Sequence, residues 1–171
     1  CRVGNLFSTR GKKNHITFKS DIKIIYILMA IGRQIRLSRI LADGKMLCIP
    51  MDHGITNGPI PGLENVYDFI YKCENSGVTS IIINKGIIKA LPRPPTMGLI
   101  AHLSASTSLG LSPNMKVQMG SVEDAIRLGA DGISVHINIG SKEEPEMLQK
   151  LGMISDKCNA VSYTHLTLPT T

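Results

Sequence analysis

The sequence predicts an α/β fold with parallel strands, and two observations support this prediction. Four short apolar runs recur at residues 46–51, 80–83, 99–101 and 133–135, with helix-forming segments between them. A polar group follows each run directly. Strands buried on both faces read as continuous apolar runs, and in α/β barrels the reactive groups lie where strands end. The pattern therefore favours an enzyme scaffold.

The length indicates how much of a barrel this chain can form. A complete eight-stranded barrel needs about 250 residues, so 171 residues correspond to roughly half of one, ending after about four strands. Residues 77–81 and 129–133 repeat the same helix-to-strand junction, as expected when one βα unit recurs. A doubly wound parallel sheet has the same local pattern, so this alternative stays open on sequence alone.

The predicted elements before the third strand begin with an amphipathic helix. Ile31, Ile35 and Leu41 give it an apolar side, and the arginines between them are expected on a solvated side. The loop at 54–62 contains too many Gly and Pro residues to be helical. The next helix buries the stripe Leu63, Val66, Ile70 and Cys73 and ends at the cap residue Gly77.

The later elements continue the alternation. A loop at 104–114 and an apolar stretch at 117–119 precede a helix that opens with a capping box, Ser121 and Asp124, and ends at Gly129. Ser141 and Glu144 open a further helix. Its predicted buried stripe consists of Met147, Leu151, Ile154 and Cys158.

The charge distribution divides the chain into three parts. The net charge is +6, of which residues 1–28 contribute +5, so the remaining chain is nearly neutral. We interpret residues 1–28 as a leader or upstream translation, 29–160 as the folded half-barrel and 161–171 as a non-native tail. A signal peptide is disfavoured because the apolar run after Lys23 is short and is followed by arginines. We predict neither a nucleic-acid nor a membrane partner, since aromatic residues are also scarce.

Four cysteines stand far apart, at Cys1, Cys48, Cys73 and Cys158. No C-x-x-C pair is present, so neither a zinc ribbon nor a redox motif is indicated. Buried thiols in a reducing cytosol are the favoured interpretation, and we expect a cytoplasmic protein.

Asp52 is the strongest candidate for chemistry. It follows a buried strand, where its carboxylate can act as a general acid/base or bind a substrate hydroxyl. The structural alternative is a hydrogen bond that caps the turn at Gly54. The adjacent His53 and the strand-end position favour the functional interpretation.

Lys85, His102 and His136 follow three other strands. Lys85 could form an imine, pair with Asp52 or bind phosphate, and the charge-pairing roles are favoured. His53, His102 and His136 could together hold a zinc ion, but hydrogen-bonded pocket histidines are the favoured interpretation. No phosphate loop, dinucleotide fingerprint or Gly-x-Ser-x-Gly elbow occurs, so we predict neither a metal nor a cofactor.

Several segments together resemble the archaeal-type class I aldolases. They are the motifs at 49–54 with 57–59, at 84–87, at 99–104, at 135–141 and at 151–154, in that order. The chain is most similar to the branch of 2-amino-3,7-dideoxy-D-threo-hept-6-ulosonate synthases, with class I fructose-bisphosphate aldolases as near relatives. The resemblance covers residues 29–160.

The resemblance implies a TIM barrel that uses a lysine imine on keto-sugar phosphates. For the synthase branch it implies aspartate semialdehyde as the acceptor, a place in the 3-dehydroquinate route to aromatic amino acids, and a homo-oligomeric parent. Asp52 matches the family's acid/base aspartate, and Asp52, His53, Gly54, Ile55 and Thr56 lie where the substrate binds. We assign Lys85, His102 and His136 to the same site.

The chain departs from the family pattern at its end. The family's imine lysine is on strand six and its proton-donating tyrosine on strand five, and we expect both to fall beyond this chain. Tyr163 is not assigned the tyrosine's role. The 171 residues alone are therefore predicted to be inactive, and a half-barrel that serves as a binding or oligomerising module is the non-enzymatic alternative.

Overall fold

A computed structural model of the chain describes the backbone of residues 30–170 and the side chains of residues 30–167. The predicted leader, residues 1–28, lies outside the described residues.

The fold is built on a five-stranded parallel sheet. In chain order its strands are β1 (Cys48–Pro50), β2 (Ser80–Asn84), β3 (Gly98–His102), β6 (Gly132–Asn138) and β7 (His165–Thr170). The spatial order is the same, β1-β2-β3-β6-β7. A doubly wound sheet reverses its strand order at a switch point, whereas a barrel does not. The strand order therefore supports the half-barrel and not the doubly wound alternative.

The remaining elements connect these strands. Two short strands, β4 (Ser104–Ala105) and β5 (Val117–Gln118), form a separate antiparallel pair. The helices are α1 (Ile31–Ile40), α2 (Gly54–Asn57), α3 (Val66–Cys73), α4 (Lys85–Ala90), α5 (Val122–Arg127) and α6 (Glu144–Ala160).

The sheet separates two apolar layers because successive strand residues point to opposite faces. Ile81, Ile83 and Leu99 belong to the main core, which includes buried residues of the helices outside the sheet. Ile82 and Ile100 belong to a smaller cluster on the inner face, together with Ile40 of α1. The alternation leaves the inner face available for polar groups at the strand ends.

Helix α1 is confirmed, but its docked side differs from the prediction. Ile31 and Ile35 are 69% and 59% exposed, whereas Ile40 is only 2% exposed. The arginines expected to face solvent instead contact the protein: Arg39 Nε lies 3.1 Å from Asp131 Oδ1 and the Arg36 guanidinium lies 4.9 Å from a ring centroid in the segment after α6. Amphipathic periodicity identified the helix. It could not show that a buried carboxylate and an aromatic ring, distant in the sequence, would contact the arginine side of the helix.

The predicted caps of α5 are confirmed, whereas the predicted cap of α3 and one loop prediction are wrong. Ser121 and Asp124 form both hydrogen bonds of a capping box at the start of α5. Gly129 directly follows the cap residue of α5 and has a φ of +75°, the left-handed conformation expected there. Gly77 has a φ of +74°, but α3 already ends at Cys73 with Glu74 as its cap. The loop predicted at 54–62 contains the four-residue helix α2, because no further Gly or Pro follows Gly54 until Gly58.

The fifth strand differs from the prediction of about four strands. Residues 165–170, within the segment predicted to be a non-native tail, pair with β6 in parallel over six positions. Tyr163, just before this strand, is buried and donates a hydrogen bond from its hydroxyl to the carbonyl of Ala130. The β-forming residues of this segment satisfy the free edge of β6. That the segment is non-native remains a prediction.

Across the described residues, none of the helices has both the length and the hydropathy required to cross a membrane.

Candidate functional site

The inner face of the half-barrel holds a cavity of about 570 Å³ that runs along the strands and includes residues at their carboxyl ends. Six of the predicted site residues line it: Asp52, His53, Ile55, Thr56, His102 and His136. They come from the ends of β1, β3 and β6 and from α2, so residues up to 84 positions apart in the chain share one space. The apolar part of the wall includes Ile82 and Leu166.

Asp52 lies two residues after the end of β1 and is only 9% exposed. Its Oδ2 lies 3.4 Å from His102 Nε2, and its Oδ1 lies 3.8 Å from His53 Nδ1. Its backbone carbonyl accepts a 3.1 Å hydrogen bond from Asn84 Nδ2, which fixes the turn to the neighbouring strand. These contacts hold the carboxylate at the wall of the cavity.

The Oδ1 atom of Asp52 is buried and accepts no hydrogen bond from any described residue. The helix that follows has no side-chain hydrogen bond at its amino end. A buried carboxylate oxygen normally has a partner, so Oδ1 is suited to accept a hydrogen bond from a bound molecule. This geometry favours a functional role for Asp52 over a capping role.

His102 connects Asp52 to the interior of the sheet. Its Nδ1 lies 2.7 Å from Oγ of Ser134, and both side chains are buried. Burial lowers the pKa of His102, although the Asp52 carboxylate partly offsets this effect. A neutral His102 ring can hydrogen-bond to both neighbours: its Nδ1 accepts from the Ser134 hydroxyl, and its Nε2 proton points to Asp52. The pair therefore orients the Asp52 carboxylate.

His136 lies on the far wall of the cavity. Its Nε2 is 3.0 Å from Asn138 Oδ1, and its backbone N–H donates to Ser104 Oγ at 3.1 Å. Burial is the main cause of its lowered pKa, and the charge of Lys116 adds to it. Within residues 30–167 no three His, Cys, Asp or Glu side chains meet in a group that could hold a metal ion. The structure thus gives the three-histidine zinc alternative no support.

Gly54 and Lys85 line a neighbouring cavity instead, together with Ile55. Lys85 is the first residue of α4, and its Nζ lies 3.6 Å from Asp124 Oδ2 on α5. The pairing with Asp52 considered from the sequence is therefore wrong. The helix begins directly after β2, and its first turn carries the side chain away from the inner face.

Lys116 is a cavity residue that the sequence analysis missed. It immediately precedes β5, and its Nζ donates to Ser106 Oγ at 2.7 Å. The available sequence signal was one cation next to a short apolar stretch, in a region without helical or strand periodicity. Only the pairing of β5 with β4 brings it over the inner face.

Comparisons with known proteins agree with this geometry. A family model described as DeoC/LacD family aldolase matches residues 46–167. The 2-amino-3,7-dideoxy-D-threo-hept-6-ulosonate synthase 1 of Archaeoglobus fulgidus is 45% identical over 131 residues, covering 75% of this chain and 50% of that protein. A synthase of the same name from Halobacterium salinarum is 42% identical over 125 residues, covering 72% and 47%.

The fold comparison gives the same result. The crystal structure of an archaeal fructose 1,6-bisphosphate aldolase superimposes with a TM-score of 0.71 at 25% identity, covering 79% of this chain and 56% of that chain. The chain spans about half the length of the curated relatives it matches.

Proposed function

Since the chain belongs to the DeoC/LacD aldolase family, we propose that it forms the amino-terminal half of an imine-forming class I aldolase or transaldolase acting on keto-sugar phosphates. The observation that carries this proposal is Asp52, which lines the cavity: its buried Oδ1 accepts no hydrogen bond from the described residues, and its Oδ2 lies 3.4 Å from His102 Nε2. A carboxylate held in this way is suited to exchange a proton with a substrate hydroxyl.

In the proposed mechanism Asp52 is the general acid/base. A lysine amine of the complete enzyme condenses with the ketone of the substrate and releases water. Asp52 then takes the proton of the hydroxyl on the β-carbon, two carbons along from the nitrogen-bearing carbon. The bond between the α- and β-carbons breaks, the β-carbon leaves as an aldehyde, and the electron pair of the broken bond moves into the iminium to give an enamine. In the reverse direction the enamine attacks an aldehyde, and Asp52 returns the proton to the new alkoxide.

Tyr163 has no part in this mechanism. Its hydroxyl bonds to Ala130, which precedes β6, and therefore lies at the amino end of the sheet. Asp52 follows β1 and lies at the opposite end. The tyrosine and the lysine of the family mechanism are thus assigned to the complete enzyme and not to this chain.

For the substrates we propose the synthase branch, with aspartate semialdehyde as the aldehyde acceptor. The synthase of A. fulgidus is 45% identical to this chain, whereas the fructose-bisphosphate aldolase structure is 25% identical. We also propose a homo-oligomeric parent that acts in the cytoplasm. Three unpaired cysteines, Cys48, Cys73 and Cys158, are consistent with a reducing compartment.

The test uses a chimera in which the matched segment of this chain replaces that of the A. fulgidus synthase. We expect borohydride to trap a covalent adduct only when a keto-sugar phosphate is present, and chelators to leave the activity unchanged. Circular dichroism and gel filtration establish that the chimera is folded. A folded chimera that forms no adduct would contradict the proposal, and a preference for glyceraldehyde 3-phosphate would favour fructose-bisphosphate cleavage.

A further inference from the structure

We propose that Lys116 is an anion-binding residue of the cavity, and that it holds the phosphate or carboxylate group of a substrate fragment whose reacting carbon lies near Asp52. The inference rests on the proposed function for the identity of the fragment. Binding of an anion at Lys116 can be measured without catalysis.

The first support is position. Lys116 and Asp52 line the same cavity, but they come from different loops, after β3 and after β1 respectively. A molecule bound between them would contact an acid/base group with one part and a cation with another. Such a two-point arrangement orients a substrate and excludes the reversed binding mode.

The second support is the way the backbone at Lys116 is held. The adjacent residue Val117 pairs with Ala105 in the β4–β5 ladder. Ser104, the neighbour of Ala105 on β4, accepts a hydrogen bond at its Oγ from the backbone N–H of His136. This bond connects the β4–β5 ladder to β6. The Lys116 N–H also lies 3.5 Å from Met147 Sδ on α6. These contacts therefore fix the backbone from which the Lys116 side chain extends.

The third support is the unused hydrogen-bonding capacity of the amine. Lys116 Nζ donates to Ser106 Oγ, and the Ser106 hydroxyl itself donates to the Pro113 carbonyl at 2.7 Å. Ser106 is thus restricted to accepting from Lys116. Among the described residues no carboxylate lies within 4.0 Å of Lys116 Nζ, in contrast to Lys85, which pairs with Asp124. An ammonium has three donors, so two are available to an anion.

The electrostatics fit an anionic ligand. Burial lowers the pKa of Lys116, whereas the charge of Asp52 raises it. A bound anion would add a second negative charge next to the amine and raise the pKa further. By linkage, an anion therefore binds most tightly to the protonated amine, and anion binding should suppress the reactivity of the amine.

The test is competitive acetylation of the 171-residue chain, with mass spectrometry to measure the rate at each lysine. The probes are glycerol 3-phosphate, succinate and, as the neutral control, glycerol, at constant ionic strength. At a ligand concentration of about three times Kd, the rate at Lys116 should fall about fourfold by mass action. Lys157 on α6 is the internal control, because its Nζ already pairs with Glu123 and its rate should not change.

Each outcome decides the proposal. Protection of Lys116 by glycerol 3-phosphate assigns the site to a phosphate, and protection by succinate assigns it to a carboxylate. Equal protection of Lys116 and Lys157 would show only general screening and would overturn the proposal, as would no protection at Lys116.

A second measurement uses thermal unfolding. The ligand-induced rise in Tm should be lost in Lys116→Gln and retained in Lys157→Gln; a rise retained in Lys116→Gln would contradict the assignment. Neither assay involves imine formation, so this inference and the proposed function can fail independently.

Discussion

The substitution Gly98→Ala tests how closely α1 packs against the amino end of β3. A Cβ at this position would lie 2.7 Å from the backbone oxygen of Arg39 and 2.7 Å from Cα of Ile40. Both atoms are backbone, so no side-chain rotation can relieve the contact, and α1 must move away from β3.

The expected magnitude follows from two opposing terms. Overpacking of a tight contact costs about 1–3 kcal/mol. Replacing glycine stabilises by about 0.4–1 kcal/mol because the unfolded chain loses freedom. The overpacking dominates, and the free energy of unfolding should decrease by about 1–2 kcal/mol.

The assay is urea unfolding followed by far-UV circular dichroism, since the chain has no tryptophan. Gly152→Ala is the matched control. Gly152 lies within α6 and an added Cβ would have no heavy atom within 4 Å, so this variant should be stabilised by about 0.5–1 kcal/mol. If Gly98→Ala were also neutral or stabilising, the docking of α1 against β3 would be refuted.

Three further outcomes are expected. Because burial lowers the pKa of His102, the unfolded state binds more protons than the folded state below about pH 6.5. The free energy of unfolding should therefore decrease on acidification, and it should decrease less in His102→Gln. An unchanged dependence of the free energy of unfolding on pH in that variant would refute this. Tyr163→Ala should cost about 3–5 kcal/mol if β7 is packed as described, whereas Val161→Ala, at an exposed position, should cost almost nothing in the same urea assay. The 171-residue chain alone should show no carbon–carbon bond cleavage of keto-sugar phosphates, and measurable cleavage would contradict the half-enzyme account.

The sequence was sufficient to locate the inner rim of the half-barrel. Apolar runs mark buried strands, and the residue that follows such a run must lie at the carboxyl edge, so Asp52, His102 and His136 could be placed together. The direction in which each side chain points was harder to predict from the sequence. Lys85 also follows a strand, but α4 begins there and turns its amine towards Asp124.

Other features depend on long-range pairing that periodicity does not show. Lys116 enters the cavity only because β5 pairs with β4, and each of these strands has two residues. The arginines of α1 contact the protein because Asp131 and Tyr163, which are distant in the sequence, lie next to this helix. The fifth strand comes from a segment whose composition suggested an origin outside the fold, although its residues are good β-formers.

The central claim is that Asp52 acts on the substrate hydroxyl after the imine has formed. The most direct measurement is single-turnover cleavage by the folded chimera carrying Asp52→Asn, with the Lys157→Gln chimera as control. The account predicts that borohydride still traps the imine in Asp52→Asn while cleavage slows by about 10²–10⁴-fold, and that Lys157→Gln cleaves normally. Cleavage at an unchanged rate in Asp52→Asn would contradict it.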